Sequence, residues 1–324
     1  MNVSIVIPTW NGRHLLERFL PSVVRAAEVY RAASGAEVEV IVVDDGGTDD
    51  TPYWLALEHP GAVELLMRKH NEGFAHACNT GFAHARHPVI VLLNNDVEAA
   101  ENAIAPLVGH FASPDVFAVA ALTTNLETGE ASGVGKIGSF SRGFLRVHAS
   151  YCPPEGAHGE FPSIFASGGA AAFSSDGLRA LGGFDTLYAP FYWEDVELSY
   201  RAWKRGWRVL FEPRSRVRHQ VSSTIGKTYR RGEVRAIEHR NRLLAHWVNL
   251  HDPKMWRGHL LQVALLLVAA PFRLDGAFVS GFLQALGRRH QAMARRSEEA
   301  AAAVRSDREV LAMFDGITPD AQPS

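Results

Sequence analysis

Cysteine is scarce: Cys78 and Cys152 are the only two in 324 residues. That excludes a disulfide framework and a four-cysteine zinc site, and it fits a reducing compartment. Net charge is nearly absent as well. Thirty-three Lys and Arg against thirty-five Asp and Glu leave −2, so no global field would draw the protein onto nucleic acid. The opening Met1-Asn2-Val3-Ser4-Ile5 runs straight into a strand pattern with no basic region and apolar core before it, so no signal peptide is expected and the main folded part should stay in the cytoplasm. No G-x-G-x-x-G fingerprint and no P-loop follows any apolar run, which argues against a sugar nucleotidyltransferase with a Gly-rich phosphate loop. Long apolar runs are also missing. Leu260 to Phe272 is nearly all apolar, but Pro271, Arg273 and Asp275 interrupt it. A spanning helix needs about 20 apolar residues, so this run is expected to be too short to cross a bilayer unaided.

What remains is ordinary globular material, 47% apolar and 21% charged. The length suits one large α/β unit with an appendage. Val3 to Ile7, Val38 to Val43, Val63 to Met67, Val89 to Leu93 and Val116 to Ala121 are short β-branched runs that read as buried strands. Helical patterns lie between them at His14–Tyr30, Asp49–Leu57 and Gly73–Ala85. Alternation of this kind predicts a mostly parallel sheet covered on both faces, with ligands outside the carboxyl ends of the strands.

Those ends carry Pro8-Thr9-Trp10-Asn11-Gly12, Asp44-Asp45-Gly46-Gly47-Thr48-Asp49 and Asn94-Asn95-Asp96. Turn chemistry and helix capping account for any one such cluster. Three on one expected rim point to a ligand site. From Thr123 to Pro162 the pattern dissolves into a Gly-rich stretch, expected to be a mobile loop near an acceptor. A helix is expected from Glu194 to Arg205, with Gly206 as its C-terminal cap. Val196, Tyr200 and Trp203 share one face and anchor it in a core.

The acidic pair Glu194-Asp195 begins that helix, directly after Phe191-Tyr192-Trp193. Asp195 alone would read as a helix cap. Beside three aromatics able to stack on a sugar, it reads as a carboxylate that takes a proton from an acceptor hydroxyl. Asp96, at a strand end, is placed to coordinate a hard cation bridging phosphate oxygens. His219 in Val217-Arg218-His219-Gln220 suits a manganese ligand, or a satisfied structural histidine. Between Arg201 and Leu250 there are thirteen Lys and Arg against three Glu, an excess able to face a diphosphate or an anionic lipid. A second apolar stretch, Leu274 to Leu286, is followed by Arg288-Arg289-His290 and Arg295-Arg296. With the first it suits a helical pair in a membrane interface, or a buried interface within or between chains.

Taken in order, Val6-Ile7-Pro8-Thr9-Trp10-Asn11, Val42-Val43-Asp44-Asp45-Gly46-Gly47-Thr48-Asp49, Asn71-Glu72-Gly73-Phe74, Leu92-Leu93-Asn94-Asn95-Asp96, Gly183-Phe184-Asp185 and Trp193-Glu194-Asp195-Val196-Glu197-Leu198 resemble the inverting family 2 glycosyltransferases of GT-A fold. The Asn71-Gly73-Phe74 and Asn94-Asn95-Asp96 forms are most similar to the bacterial rhamnosyltransferase-like branch. The likeness covers about residues 3 to 245.

The resemblance implies a nucleotide-diphosphate sugar donor, a glycan or lipid-linked acceptor, and a role in cell-surface polysaccharide synthesis. By the same resemblance Pro8, Thr9, Asn11, Asp44, Asn71, Gly73 and Asn95 bind the nucleotide, with Asp44 reading the base. Trp193 and Glu194 meet the acceptor, Asp195 is the catalytic base, and Asp96 with His219 holds Mn2+ or Mg2+. Asn94 stands where the acidic triplet begins, which implies weaker metal affinity than two carboxylates would give. The domains expected are a catalytic unit at 1–225 (nucleotide half about 1–122, acceptor half about 123–225), a helical region at 226–290 suited to membrane association, and a polar tail at 291–324. The competing readings are a non-catalytic nucleotide-sugar-binding or scaffold protein at a membrane, and the nucleotidyltransferase.

Overall fold

The computed structural model describes residues 1–154, 156–157, 159–220 and 228–319. The expected boundary at 225–226 falls outside the described residues. Five apolar runs become strands: β1 (Val3–Thr9), β2 (Val38–Asp44), β3 (Glu64–Met67), β4 (Val89–Leu93) and β6 (Val116–Asn125). The alternating helices are α1 (Arg13–Ser34), α2 (Thr51–Glu58), α3 (Phe74–His84) and α4 (Ile104–Gly109), with the short β5 (Val97–Ala99) before α4. Strands β1, β2, β3 and β4 pair in parallel, as the alternation predicts.

The sheet becomes mixed toward its other edge. β11 (Ala170–Ser174) runs antiparallel between β4 and β6, and β12 (Arg208–His219) lies parallel to β6. With β7 (Ala131–Gly133) and β10 (Phe161–Pro162) the sheet has ten strands, its main path running β10-β12-β6-β11-β4-β1-β2-β3. β1, β4 and β11 are buried on both faces, apart from half-buried Ser174 at the end of β11. That is why their sequences read as continuous apolar runs rather than alternating ones.

The segment 123–162 is not the expected mobile loop. It extends β6 to Asn125 and then forms a hairpin of β8 (Gly135–Ser141) and β9 (Phe144–Tyr151). Arg142 and Gly143 have φ of 48° and 73°, and Ser141 pairs with Phe144 across them. Two successive positive φ values make the primed turn that matches strand twist, and glycine adopts the second one without strain. Leu145, Val147 and Tyr151 face the core, while Arg146 and His148 alternate outward.

Helices α5 (Ser175–Leu181) and α6 (Glu194–Lys204) follow β11, and α6 is buried on every side. The C-terminal region adds α7 (Arg231–Asn249), α8 (Pro253–Arg273), α9 (Gly276–Gly287), α10 (Arg289–Ala302) and α11 (Asp307–Ala312). The stretch expected as a polar tail is therefore structured through α11. Asp307 is fully buried; its Oδ1 accepts from Lys204 Nζ at 3.0 Å and Tyr200 Oη at 2.8 Å, and Phe314 packs edge-on to Trp203. A few inward residues, Ala292, Val310 and Phe314, suffice to dock a segment that is polar on average.

The run expected to be too short for a membrane belongs to a longer element. Helix α8 has 21 residues and is long and apolar enough, by length and composition alone, to cross a membrane. His259, Val263 and Ala270 face inward, whereas Leu261, Leu265, Val268 and Phe272 form an exposed stripe.

Candidate active site

The carboxyl ends of β1 and β4 and the N-terminus of α6 open onto one cleft of about 610 Å³. Pro8, Thr9, Asn71, Gly73, Asn95, Asp96, Glu194, Asp195 and His219 all line it. Asp96 and Asp195, ninety-nine positions apart in the chain, thus share a cavity. The span between them is made by Ser167-Gly168-Gly169. Gly169 O accepts from Asn94 N at 2.9 Å, at the first position of the acidic triplet, and Gly168 N donates to Asp195 Oδ2 at 3.1 Å.

Asp195 Oδ1 also accepts from Val196 N at 2.8 Å, so both carboxylate oxygens are oriented by backbone. Burial raises its pKa, making it a stronger base than an exposed aspartate. Glu194 beside it is pushed to about 8, by burial first and then by the Asp195 charge. Its Oε2 is buried without a hydrogen-bond partner among the described residues. The pair therefore divides its roles, with Glu194 held protonated near neutral pH beside an ionisable Asp195.

At the other end, His219 Nε2 lies 3.0 Å from Asp96 Oδ1. The two atoms do not form a hydrogen bond, and Asp96 Oδ1 is buried without one. Two neighbouring ligands of an octahedral cation at roughly 2.1 Å would sit about 3 Å apart. The spacing and the orphaned oxygen both fit a divalent ion between them. Among the described residues no group of three or more His, Cys, Asp or Glu converges on a metal position. Asn95 Nδ2 donates to Thr9 Oγ1 at 2.8 Å, tying the β1 and β4 ends together.

Three expected residues lie elsewhere. Trp193 is only 8% exposed and does not line the cleft; its ring packs 5.8 Å from His246 in the core. Positive φ at Tyr192 and Trp193, 71° and 76°, twists the chain so that Phe191 and Tyr192 face the cleft instead. Asn11 and Asp44 also do not line it. Asp44 Oδ1 accepts from Gly47 N at 2.9 Å and Asn11 Oδ1 from Thr48 N at 2.7 Å, so both brace the turn after β2.

The residue facing the cleft there is Asp45, which the motif reading passed over. Asp45 Oδ2 accepts from Glu72 N at 3.1 Å and Gly73 N at 2.7 Å, and Oδ1 meets Arg68 Nε at 3.0 Å. This fixes the 71–73 strip, where Gly73 has φ 99° and a side chain would strike Pro190 O at 2.8 Å. The aromatic loop is clamped from α7: Asn241 Nδ2 reaches the carbonyls of Tyr188, Phe191 and Tyr192 at 2.5, 2.8 and 2.9 Å. Arg240 Nη2 donates to Ala189 O at 2.6 Å. Tyr229 stacks edge-on to Phe191 at 5.0 Å and completes the wall.

Comparison with known proteins places this arrangement. Of curated relatives, a pre-mycofactocin glycosyltransferase of Mycobacterium tuberculosis is 29% identical over 67% of this chain and 42% of its own length. An N-acetylglucosaminyl-diphospho-decaprenol L-rhamnosyltransferase of the same species is 26% identical over 69% of this chain and 78% of its own. The chain thus spans less than half the length of the first of these. The mannosyltransferase PcManGT of Pyrobaculum calidifontis, solved with GDP-Man and Mn2+, shares the fold with a TM-score of 0.53 at 21% identity, over 97% of this chain and 83% of that one. Residues 4–181 match Glycosyl transferase family 2. That match covers more than half of the chain, including the β1, β2 and β4 ends that carry the cleft, and by it this protein belongs to glycosyl transferase family 2.

Proposed function

We propose that the protein is an inverting glycosyltransferase that moves a sugar from a nucleotide-diphosphate donor to a hydroxyl of a glycan or lipid-linked acceptor. The observation that carries this reading is the cleft with an oriented, buried Asp195 at one end and the Asp96–His219 pair at the other. Asp195 takes the acceptor proton as that oxygen attacks the anomeric carbon, in one in-line displacement. Asp96 and His219 would hold Mn2+ or Mg2+, and a cation bound there would supply charge neutralisation for the departing diphosphate. Thr9 and Asn95 flank the donor, and Phe191, Tyr192 and Tyr229 wall the acceptor side. The relatives' names, one of them a rhamnosyltransferase acting on a diphospho-decaprenol, support a lipid-linked acceptor.

A peripheral membrane contact goes with that acceptor. Leu261, Leu265, Val268 and Phe272 are 64%, 54%, 70% and 87% exposed along one face of α8, and exposed Lys254 and Arg257 continue the stripe. Apolar and cationic residues in this order suit an interface helix on an anionic leaflet.

The test is release of nucleoside diphosphate from a panel of nucleotide sugars, with and without Mn2+. Slow turnover of one donor, stimulated by Mn2+ and lost in Asp96→Asn, is the expected result. A protein that binds none of the panel in a thermal-shift screen and turns none over would refute the proposal.

A further inference from the structure

The basic excess between Arg201 and Leu250 is mostly neutralised within the fold. Arg201 pairs with Glu197, Lys204 with Asp307, Arg205 with Glu299, Arg208 with Asp115 and Arg214 with Glu212. Arg242 differs. Its guanidinium lies 4.2 Å from the centroid of the Phe144 ring and forms no hydrogen bond or ion pair with any described residue. Burial, and then the neighbouring charge of Arg146, holds its pKa down at about 10. A half-buried arginine without a counter-ion is costly unless an anion arrives to pair with it.

Two further cations stand on the adjoining hairpin with no acid paired to them among the described residues. Lys136 Nζ donates to Ser150 Oγ at 2.8 Å, across the β8–β9 pairing, and burial lowers its pKa. Among the described residues Arg146 reaches only Ser141, its Nε donating to Oγ at 3.3 Å. Glu238 acts on Arg242 and on exposed His148 from a distance, but makes no ion pair with either.

The position of this group is as informative as its charge. Glu238 also acts on Tyr192, which lines the cleft, and Trp193 packs on His246 one turn along α7 from Arg242. On the other side the hairpin tip touches α8: a side chain at Gly143 would meet Gly258 O and Gln262 Cβ, both at 2.6 Å. From there the exposed stripe of Leu261, Leu265, Val268 and Phe272 begins. Cleft, cations and apolar helix follow one another in the order of sugar, phosphate and hydrocarbon in an amphiphilic glycan carrier.

We propose that Arg242, Arg146 and Lys136 form a phosphate-binding site that holds the phosphate or diphosphate of a lipid-linked acceptor while its sugar hydroxyl reaches Asp195. Naming the ligand an acceptor rests on the glycosyltransferase reading; the anion site does not. Guanidinium groups are well matched to such an anion, because each offers paired donors to phosphate oxygens.

The test is calorimetric binding of farnesyl diphosphate to the full chain in EDTA, with inorganic pyrophosphate and farnesol as partial ligands. Wild type and Asp96→Asn should bind farnesyl diphosphate alike, because the donor site is not used. Arg242→Gln should weaken it roughly 10- to 100-fold, the range for losing charge-assisted hydrogen bonds. Arg242→Lys should weaken it less, and farnesol should bind poorly and equally to all. Arg146→Gln, on the outward face of the hairpin, gives an independent reading should Arg242→Gln fold poorly, and should also weaken binding. Unchanged affinity in both Gln variants would overturn the site, and so would loss of binding in Asp96→Asn, which would place the anion at the donor end. Vesicles of phosphatidylcholine with and without phosphatidylglycerol separate the remaining source. If the Gln variants lose only the phosphatidylglycerol-dependent binding and keep farnesyl diphosphate, the patch reads bilayer headgroups and the proposal fails.

Discussion

Replacing His259 by phenylalanine should flatten the acid limb of the protein's stability profile. His259 is fully buried on α8, donates from Nδ1 to Gly143 O at 2.9 Å, and stacks on His246 at 4.9 Å between centroids. Its Nε2 is buried with no partner among the described residues. Burial pushes its pKa down from 6.5 to about 4. The folded pKa is depressed, so the unfolded chain binds the proton first as pH falls. Stability is fully present above about pH 6.5 and is lost progressively down to about pH 4. From these two values linkage gives a loss of about 2 kcal/mol between pH 8 and pH 5. His246 is depressed as well, by burial and then by His259, and adds to the same slope. The raised acids Glu194 and Glu197 slope the opposite way, but they are common to both proteins. The quantity to measure is therefore the variant-minus-wild-type difference in urea unfolding free energy at the two pH values. His259→Phe should be less stable at pH 8, by about 1 kcal/mol for the lost hydrogen bond. It should recover that loss at pH 5. A difference that does not change with pH would refute the neutral, desolvated state of this pair.

Glu194→Gln should raise the melting temperature more at pH 8.5 than at pH 5, because a carboxyl shifted from 4.5 to about 8 costs stability only as pH rises through that window; an equal effect at both pH values would contradict a protonated Glu194. Gly81→Ala should destabilise by roughly 1–3 kcal/mol in urea titration through overpacking, since its Cβ would lie 2.4 Å from Val6 Cγ1. An unchanged midpoint would mean α3 is not seated on β1 as described. Asp307→Ala should cost roughly 3–5 kcal/mol by leaving a buried cation unpaired, because Lys204 is 2% exposed and Asp307 0%; a loss under 1 kcal/mol would show that the C-terminal helix is not anchored to α6.

The strands of the nucleotide half could be read from sequence to within a few residues, because double-sided burial demands uninterrupted β-branched runs such as Val89–Leu93. The β8–β9 hairpin could not. Its glycines suggest a loop, yet Gly138 is there because Ile164 packs where a side chain would go, at 2.8 Å. Asp96, Asp195 and His219 were legible as motif residues, and the fold does bring them to one cleft. Which of two adjacent residues faces that cleft was not. Asp45 lines the cleft while Asp44 braces the turn after β2, and Trp193 is turned inward by two positive φ values that composition does not announce. The clamp of Arg240 and Asn241 on the 188–192 loop joins segments some fifty positions apart, and local pattern carries no trace of it.

Asp195 is proposed as the base in a cleft whose other end binds the donor. The direct measurement is donor affinity and transfer rate side by side in Asp195→Asn, which keeps the size of the side chain and removes its basicity. Donor affinity should stay within about threefold of wild type while the transfer rate falls roughly 10²–10⁴-fold. Near-normal transfer in that variant would contradict the account, as would a loss of donor binding that tracks the loss of rate.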